Sequence, residues 1–122
     1  MIALVDACVA IDYLRGSDAA RAALHGVDDL AASEITRYEI LAGARDEEEE
    51  RIEHLLALPH WLPVDEGVSR RAAALSRAFN ASHSGIDVAD YIVAATALEF
   101  GTRLLTRNVR HFPMLEGLRP AY

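Results

Sequence analysis

Short runs at residues 1–5 (MIALV), 30–32 (LAA), 61–64 (WLPV) and 103–106 (RLLT) constrain this chain more than any other feature. Each is too brief for a helix, and the stretches between them carry apolar residues at helical spacing. The first is apolar throughout, as expected of a strand buried on both faces. Such strands alternating with helices predict an α/β fold, a parallel sheet with helices on both faces. In sheets of this kind, sites form beyond the carboxyl ends of the strands. Asp6 ends the first strand and Asn108 lies just past the fourth, so the layout predicts a site where these ends converge.

Caps and breakers divide the rest. Residues 9–14 predict a short first helix closed by Gly16, and Ser17 can cap a second helix through Leu24. Ser33 can cap SEITRYEILAGA, which Gly43 can end. Residues 46–50 form an acidic block opening a helix to about Leu58. They read as a solvated face, with Glu47 and Arg51 at pairing distance and the acids favoured by the helix N-terminus. Asp65 or Glu66 opens a long helix to about Phe79, and residues 80–84 form a polar loop. Residues 118–122 predict a further edge strand. Trp61, Phe79 and Phe100 read as core.

Residues 85–101, GIDVADYIVAATALEFG, predict a helix capped by Asp87 and ended by Gly101. Val93, Ala94 and Ala97 lie three, four and seven positions beyond Asp90, so a carboxylate heads an inward apolar stripe. Glu39 repeats the anomaly on a face with Ile35, Tyr38 and Ala42. Burying unpaired charge is costly, and a cluster of Asp6, Glu39 and Asp90 must either protonate or bind a cation. Hard oxygen ligands with no adjacent His or Cys pair favour Mg²⁺ or Mn²⁺ over zinc. A cation so held suits hydrolysis of phosphoesters. Each acid also has a structural alternative. Asp6 can cap the following helix, Glu39 can pair with Arg37 or Arg45, and Asp90 can favour the helix dipole. Asp87 is explained by capping, and Glu34 by the dipole of its helix.

Composition narrows the function. The 122 residues fit a single domain, 1–122, and 52% hydrophobic with 25% charged content places it among folded soluble chains. No apolar run approaches a membrane span, Asp6 follows too soon for a secretory signal, and the lone Cys8 fits a reducing cytoplasm. The net charge of −7 argues against a generic nucleic-acid coat, but the cations lie mostly in the second half, where Arg103, Arg107 and Arg110 cluster. Every basic residue is arginine, which excludes P-loop and Schiff-base chemistry because both need lysine. Arg107 and Arg110 flank the Asn108 position, where each can fork onto a phosphate or stand as a structural or solvated arginine. Cys8 reads as an inert buried thiol, and His111 as a partly exposed histidine near a helix end.

Four segments, LVDACVAIDYL, SEITRYEILAGA, DYIVAATALEFG and LLTRNVRHF, occur in this order across nearly the whole chain. Together the sequence resembles the PIN-domain ribonucleases, and within them the VapC toxins of toxin–antitoxin pairs. The resemblance implies a three-layer α/β/α sandwich with a short central parallel sheet and a metal-dependent endoribonuclease site. Asp6, Glu39 and Asp90 match the three acidic metal-site positions of that family. Asn108 matches a fourth that is often acidic, and Thr106 matches the hydroxyl residue that orders the site. Asp87 is a further acidic candidate. The resemblance also implies homodimers, a cognate VapB-like antitoxin, and structured RNA, transfer or ribosomal, as substrate. The family pattern carries Thr or Ser after its first Asp and often Asn or Ser next. Ala7 and Cys8 stand there instead, which predicts fewer hydrogen bonds orienting Asp6. A second reading follows from that departure, a binding module for antitoxin or RNA with little catalysis. A phosphatase built on a strand-ending Asp is disfavoured, since Cys8 replaces the second Asp of its pattern and no lysine is present.

Overall fold

A computed structural model describes residues 2–122, so Met1 of the expected first strand lies outside the described residues. Four parallel strands lie in the order β3-β2-β1-β4: β1 (Ile2–Val5), β2 (Asp29–Ser33), β3 (His60–Leu62) and β4 (Arg103–Leu105). The most apolar run takes the centre. Leu4 pairs with Ala31 on one side and Leu104 on the other, and Ala3 and Leu4 are wholly buried. Strand side chains alternate between faces. Ala3 and Val5 join Ala32 and Leu105 in one core, with Val9, Ala20, Ile52 and Leu55 from α1 (Ala7–Leu14), α2 (Asp18–His25) and α4 (Glu49–Leu56). Leu4, Ala31 and Leu104 face the other way, onto Val93, Ala94 and Ala97 of α6 (Val88–Phe100) and onto Phe112. The long α5 (Glu66–Phe79) packs outside α6 through Val68, Ala72, Tyr91 and Ala95. Helices on both faces make the expected α/β/α sandwich.

One helix belongs to both layers. In α3 (Glu34–Ala42), Ile40 joins the first core while Ile35 packs against the second. It follows β2 directly, so it crosses the carboxyl end of the sheet between α1 and α6, the place that exposes Glu39 to both.

Local caps account for most helix starts. Ser17, Ser33, Asp65 and Asp87 each accept a backbone N–H from the first turn. Gly101 ends α6 in the left-handed region at φ 66°, where a side chain is strained. Helix α1 begins at Ala7, two residues earlier than the spacing predicts, because Asp6 ends β1 and caps α1 at once.

Three expectations need correction. Residues 118–122 form no strand. Pro120 offers no N–H to a ladder, and the segment meets β4 through one backbone bond, Ala121 N–H to the Thr106 carbonyl at 2.8 Å. The acidic block is a 3₁₀ turn (Asp46–Glu48) followed by α4, and it is not all solvated, since Glu48 is 1% exposed. Its carboxylate accepts the Arg45 backbone N–H at 3.0 Å and lies 3.4 Å from Arg15 Nε. Arg51 donates to the Leu14 carbonyl rather than pairing with Glu47. Phe100 is 44% exposed, so it is not core. Trp61 is partly buried, bonded to the Leu56 carbonyl and covered by the Arg37 guanidinium at 4.1 Å. Among the described residues, no helix is long and apolar enough to cross a membrane.

Candidate active site

Asp6 is held from three directions. It is 7% exposed, and a carboxylate that deep needs donors. Oδ1 accepts the Ala7 N–H at 2.9 Å. Oδ2 accepts the Thr106 hydroxyl at 2.8 Å and the Cys8 thiol at 3.4 Å. Thr106, wholly buried at the end of β4, also accepts the Asn108 N–H at 3.0 Å. Parallel pairing of β1 with β4 brings Asp6 and Thr106 side by side although they are far apart in sequence.

Cys8 also lies against Asp6 as a weak donor, and it stays chemically inert as expected. Its sulfur lies 3.6 Å from Thr106 Oγ1 as well as near Asp6. Burial first, then the Asp6 charge, raises the thiol pKa and keeps it a protonated donor. A weak S–H bond thus replaces part of the hydroxyl bonding that Ala7 and Cys8 were expected to forfeit. No signal in the sequence marks this, because the Thr106 half of the network comes from the other end of the chain.

Asp90 sits in the first turn of α6. Asp87 Oδ1 accepts the Asp90 N–H at 3.0 Å, and Asp90 Oδ2 accepts the Asp87 N–H at 3.2 Å. This reciprocal capping box fixes the turn. His111 Nδ1 lies 3.4 Å from the same Oδ2, a contact that local sequence does not disclose. Even so, desolvation outweighs these donors and pushes the Asp90 pKa up to about 6, with the nearby Asp87 and Asp6 charges adding to the rise.

Glu39 is the least compensated of the three. Burial, then repulsion from Asp6, Asp87 and Asp90, pushes its pKa up to about 7. Of the arginines expected to neutralise it, Arg37 pairs with Glu34 at 2.6 Å, and neither Arg37 nor Arg45 is among the charges that act on Glu39. No hydrogen bond or ion pair reaches the Glu39 carboxylate among the described residues. Asp6, Asp87 and Asp90 thus lie close enough to raise the proton affinity of Glu39.

The four do not form a finished cage. Among the described residues, no three His, Cys, Asp or Glu side chains already converge as a metal-binding group. Both oxygens of Asp6 and Oδ2 of Asp90 are taken by internal partners, while Glu39 is unengaged. The donor set still fits a hard divalent cation, because clustered carboxylates with rising pKa values mark uncompensated negative potential. Such an ion needs few protein ligands and keeps several waters. Around this centre, Asn108 is exposed at the start of a 3₁₀ turn (Val109–His111), with its side chain free of a cap bond. Arg107 Nε pairs with Asp12 at 2.7 Å, and Arg110 is exposed.

Comparison with known proteins agrees with this geometry. A PIN-domain family model matches residues 3–115. Ribonuclease VapC19 of Mycobacterium tuberculosis is 42% identical, covering 98% of this chain and 98% of the relative. Ribonuclease VapC10 of the same species is 39% identical, over 98% and 92% respectively. Among solved structures, a toxin–antitoxin complex from Klebsiella pneumoniae superposes with a TM-score of 0.85 at 28% identity, covering 98% of both chains.

Proposed function

We propose that this chain, which belongs to the PIN-domain family, is a metal-dependent endoribonuclease toxin neutralised by a cognate VapB-like antitoxin. The observation that carries the reading is the raised proton affinity of Glu39 and Asp90 beside Asp6, at the carboxyl end of a parallel sheet. Two relatives named ribonucleases and a toxin–antitoxin complex of the same fold support it. Asp6, Glu39 and Asp90 would hold Mg²⁺, with Mn²⁺ as a substitute and Asp87 as a further acidic neighbour. The cation would supply charge stabilisation for hydrolysis of a phosphodiester. The chain's own groups prepare the place. Thr106 and Cys8 orient Asp6, the Asp87 cap sets Asp90, and His111 draws on the outer oxygen of Asp90. Asn108 offers a free amide at the rim, and Arg107 and Arg110 offer cations to an RNA backbone. Structured RNA, transfer or ribosomal, is the proposed substrate, and a homodimer the proposed assembly.

Purified protein incubated with total cellular RNA in Mg²⁺, Mn²⁺ or chelator tests this. New 5′ ends should appear only with metal, and their absence under every condition would refute the enzyme. A second reading, a module that docks antitoxin or RNA without cutting, gains support from the internal donors occupying Asp6 and Asp90. Magnesium titration by calorimetry separates the two, since the enzyme binds the ion and the module does not.

A further inference from the structure

Residues 121–122 reach back onto the strand end that carries Thr106 and Asn108. Ala121 N–H donates to the Thr106 carbonyl at 2.8 Å, and the Tyr122 hydroxyl donates to Asp12 Oδ2 in the second turn of α1. The same Asp12 oxygen lies 2.7 Å from Arg107 Nε as an ion pair. A hydroxyl donor from Tyr122 and a cation from the loop after β4 thus meet on one carboxylate. Thr106 donates to Asp6, so this cluster adjoins the acidic centre through a single residue.

The pairing leaves Arg107 half free. Guanidinium carries five donors in a rigid fork. Its Nε lies 2.7 Å from Asp12 Oδ2 as an ion pair without a directed hydrogen bond, no protein acceptor engages the terminal NH₂ groups among the described residues, and the side chain is 46% exposed. The Tyr122 hydroxyl shares the Asp12 charge, so the arginine is less neutralised than in a plain ion pair. A site lined by Asp6, Glu39, Asp87 and Asp90 repels a polyanion, and a fixed cation at its rim offsets that repulsion. Arg110, exposed and without an ion pair among the described residues, has no such anchor.

We infer that Asp12 and Tyr122 are positioning residues that hold Arg107 as a preset fork for one backbone phosphate of RNA lying across the acidic site. Much of the rotamer freedom a bound arginine loses is already lost in this protein. The inference rests on the ribonuclease reading, and the test separates the two. A fluorescein-labelled RNA hairpin is titrated with the full chain in chelator, so that nothing is cut, at several salt concentrations.

Arg107→Ala should weaken binding about tenfold and flatten the salt slope by about 1. Tyr122→Phe and Asp12→Asn should each weaken it several-fold, with no further loss in the Arg107→Ala background. A purely structural role would lower melting temperature and leave affinity and salt slope unchanged, which overturns the inference. The parent alone supplies a second readout by ¹⁵N NMR. The Arg107 Nε–H order parameter should exceed that of the unanchored Arg110, and equal mobility of the two would also overturn it. A parent that neither binds nor cuts the hairpin sinks the ribonuclease reading and this inference with it. A parent that does both while Arg107→Ala matches it sinks the inference alone.

Discussion

Glu48 is the more deeply buried of two inward glutamates, 1% exposed against a half-buried Glu39. Yet the Glu48 carboxyl is held below the usual range, and the Glu39 carboxyl is pushed up to about 7. The difference is company. The Arg45 backbone N–H acts most strongly on Glu48, and the Arg15 guanidinium adds to it. Glu39 has no donor and three acidic neighbours. Depth of burial therefore does not separate a structural carboxylate from a functional one. Compensation does: a satisfied buried acid holds the fold, and an unsatisfied one marks a candidate binding site.

The contrast breaks first at Asp90. Asp90→Asn keeps the helix start, because an amide oxygen still accepts the Asp87 N–H, but it removes a charge proposed to hold the cation. RNA cleavage should fall by at least about a hundredfold, more than loss of an outer-shell partner costs, with the melting temperature nearly kept. Cleavage at the parental rate would show that Asp90 is only a cap.

Glu48→Ala asks the opposite question. It should lower the melting temperature by several degrees, since the Arg45 N–H and Arg15 lose their acceptor, and leave the rate per folded molecule unchanged. The pH dependence shares this sign. A carboxyl held below its ordinary value stabilises the fold above pH 4.5 and loses that contribution as pH falls further.

Glu39 has the reverse sign. Its folded pKa of about 7 lies above the ordinary 4.5, so its contribution is complete below pH 4.5 and is lost as pH rises through 7. In chelator at pH 8, Glu39→Gln should be more stable than the parent by about 1 kcal/mol, discounted for its half exposure. At pH 4 urea unfolding should find no gain. Added Mg²⁺ should stabilise the parent and not the variant. Equal stability at pH 8 would mean that the acidic neighbours impose no strain.

Cys8 marks the smallest expected effect. Cys8→Ala removes one weak donor to Asp6 and should slow cleavage a few-fold, on the order of 1 kcal/mol. Cys8→Ser, restoring a hydroxyl, should match or exceed the parent. Equal rates for all three would leave Asp6 oriented by Thr106 and Ala7 alone.

Short-range physics was legible in the sequence. The strand runs, the Ser33 and Asp87 caps, the Gly101 stop and the inward stripe beneath Asp90 each depend on a handful of neighbouring residues. The fold and family followed from their order. Partners across the chain were not legible. The Arg15 contact to Glu48 comes from the end of α1, and Cys8 meets Thr106 only once β1 and β4 pair. His111 reaches Asp90 from beyond β4, and Tyr122 reaches Asp12 across nearly the whole chain. Residues 118–122 had strand-like composition, but Pro120 and a single backbone bond decide otherwise.

The reciprocal bonds between Asp87 and Asp90 have a dynamic consequence. Asp6 ends the central strand, where amide hydrogens should exchange only when the whole domain opens. Asp90 lies in a first helical turn, and helix ends fray far more readily. The two ends of the proposed site should therefore open with different free energies, and the capping box limits the fraying at Asp90. In deuterium the amides of Leu4 and Val5 should be among the last to exchange, and those of Val88 and Ala89 among the first. A ligand gripping both halves would slow the second set most. Protection at that single turn then reports occupancy of the site without any measurement of chemistry.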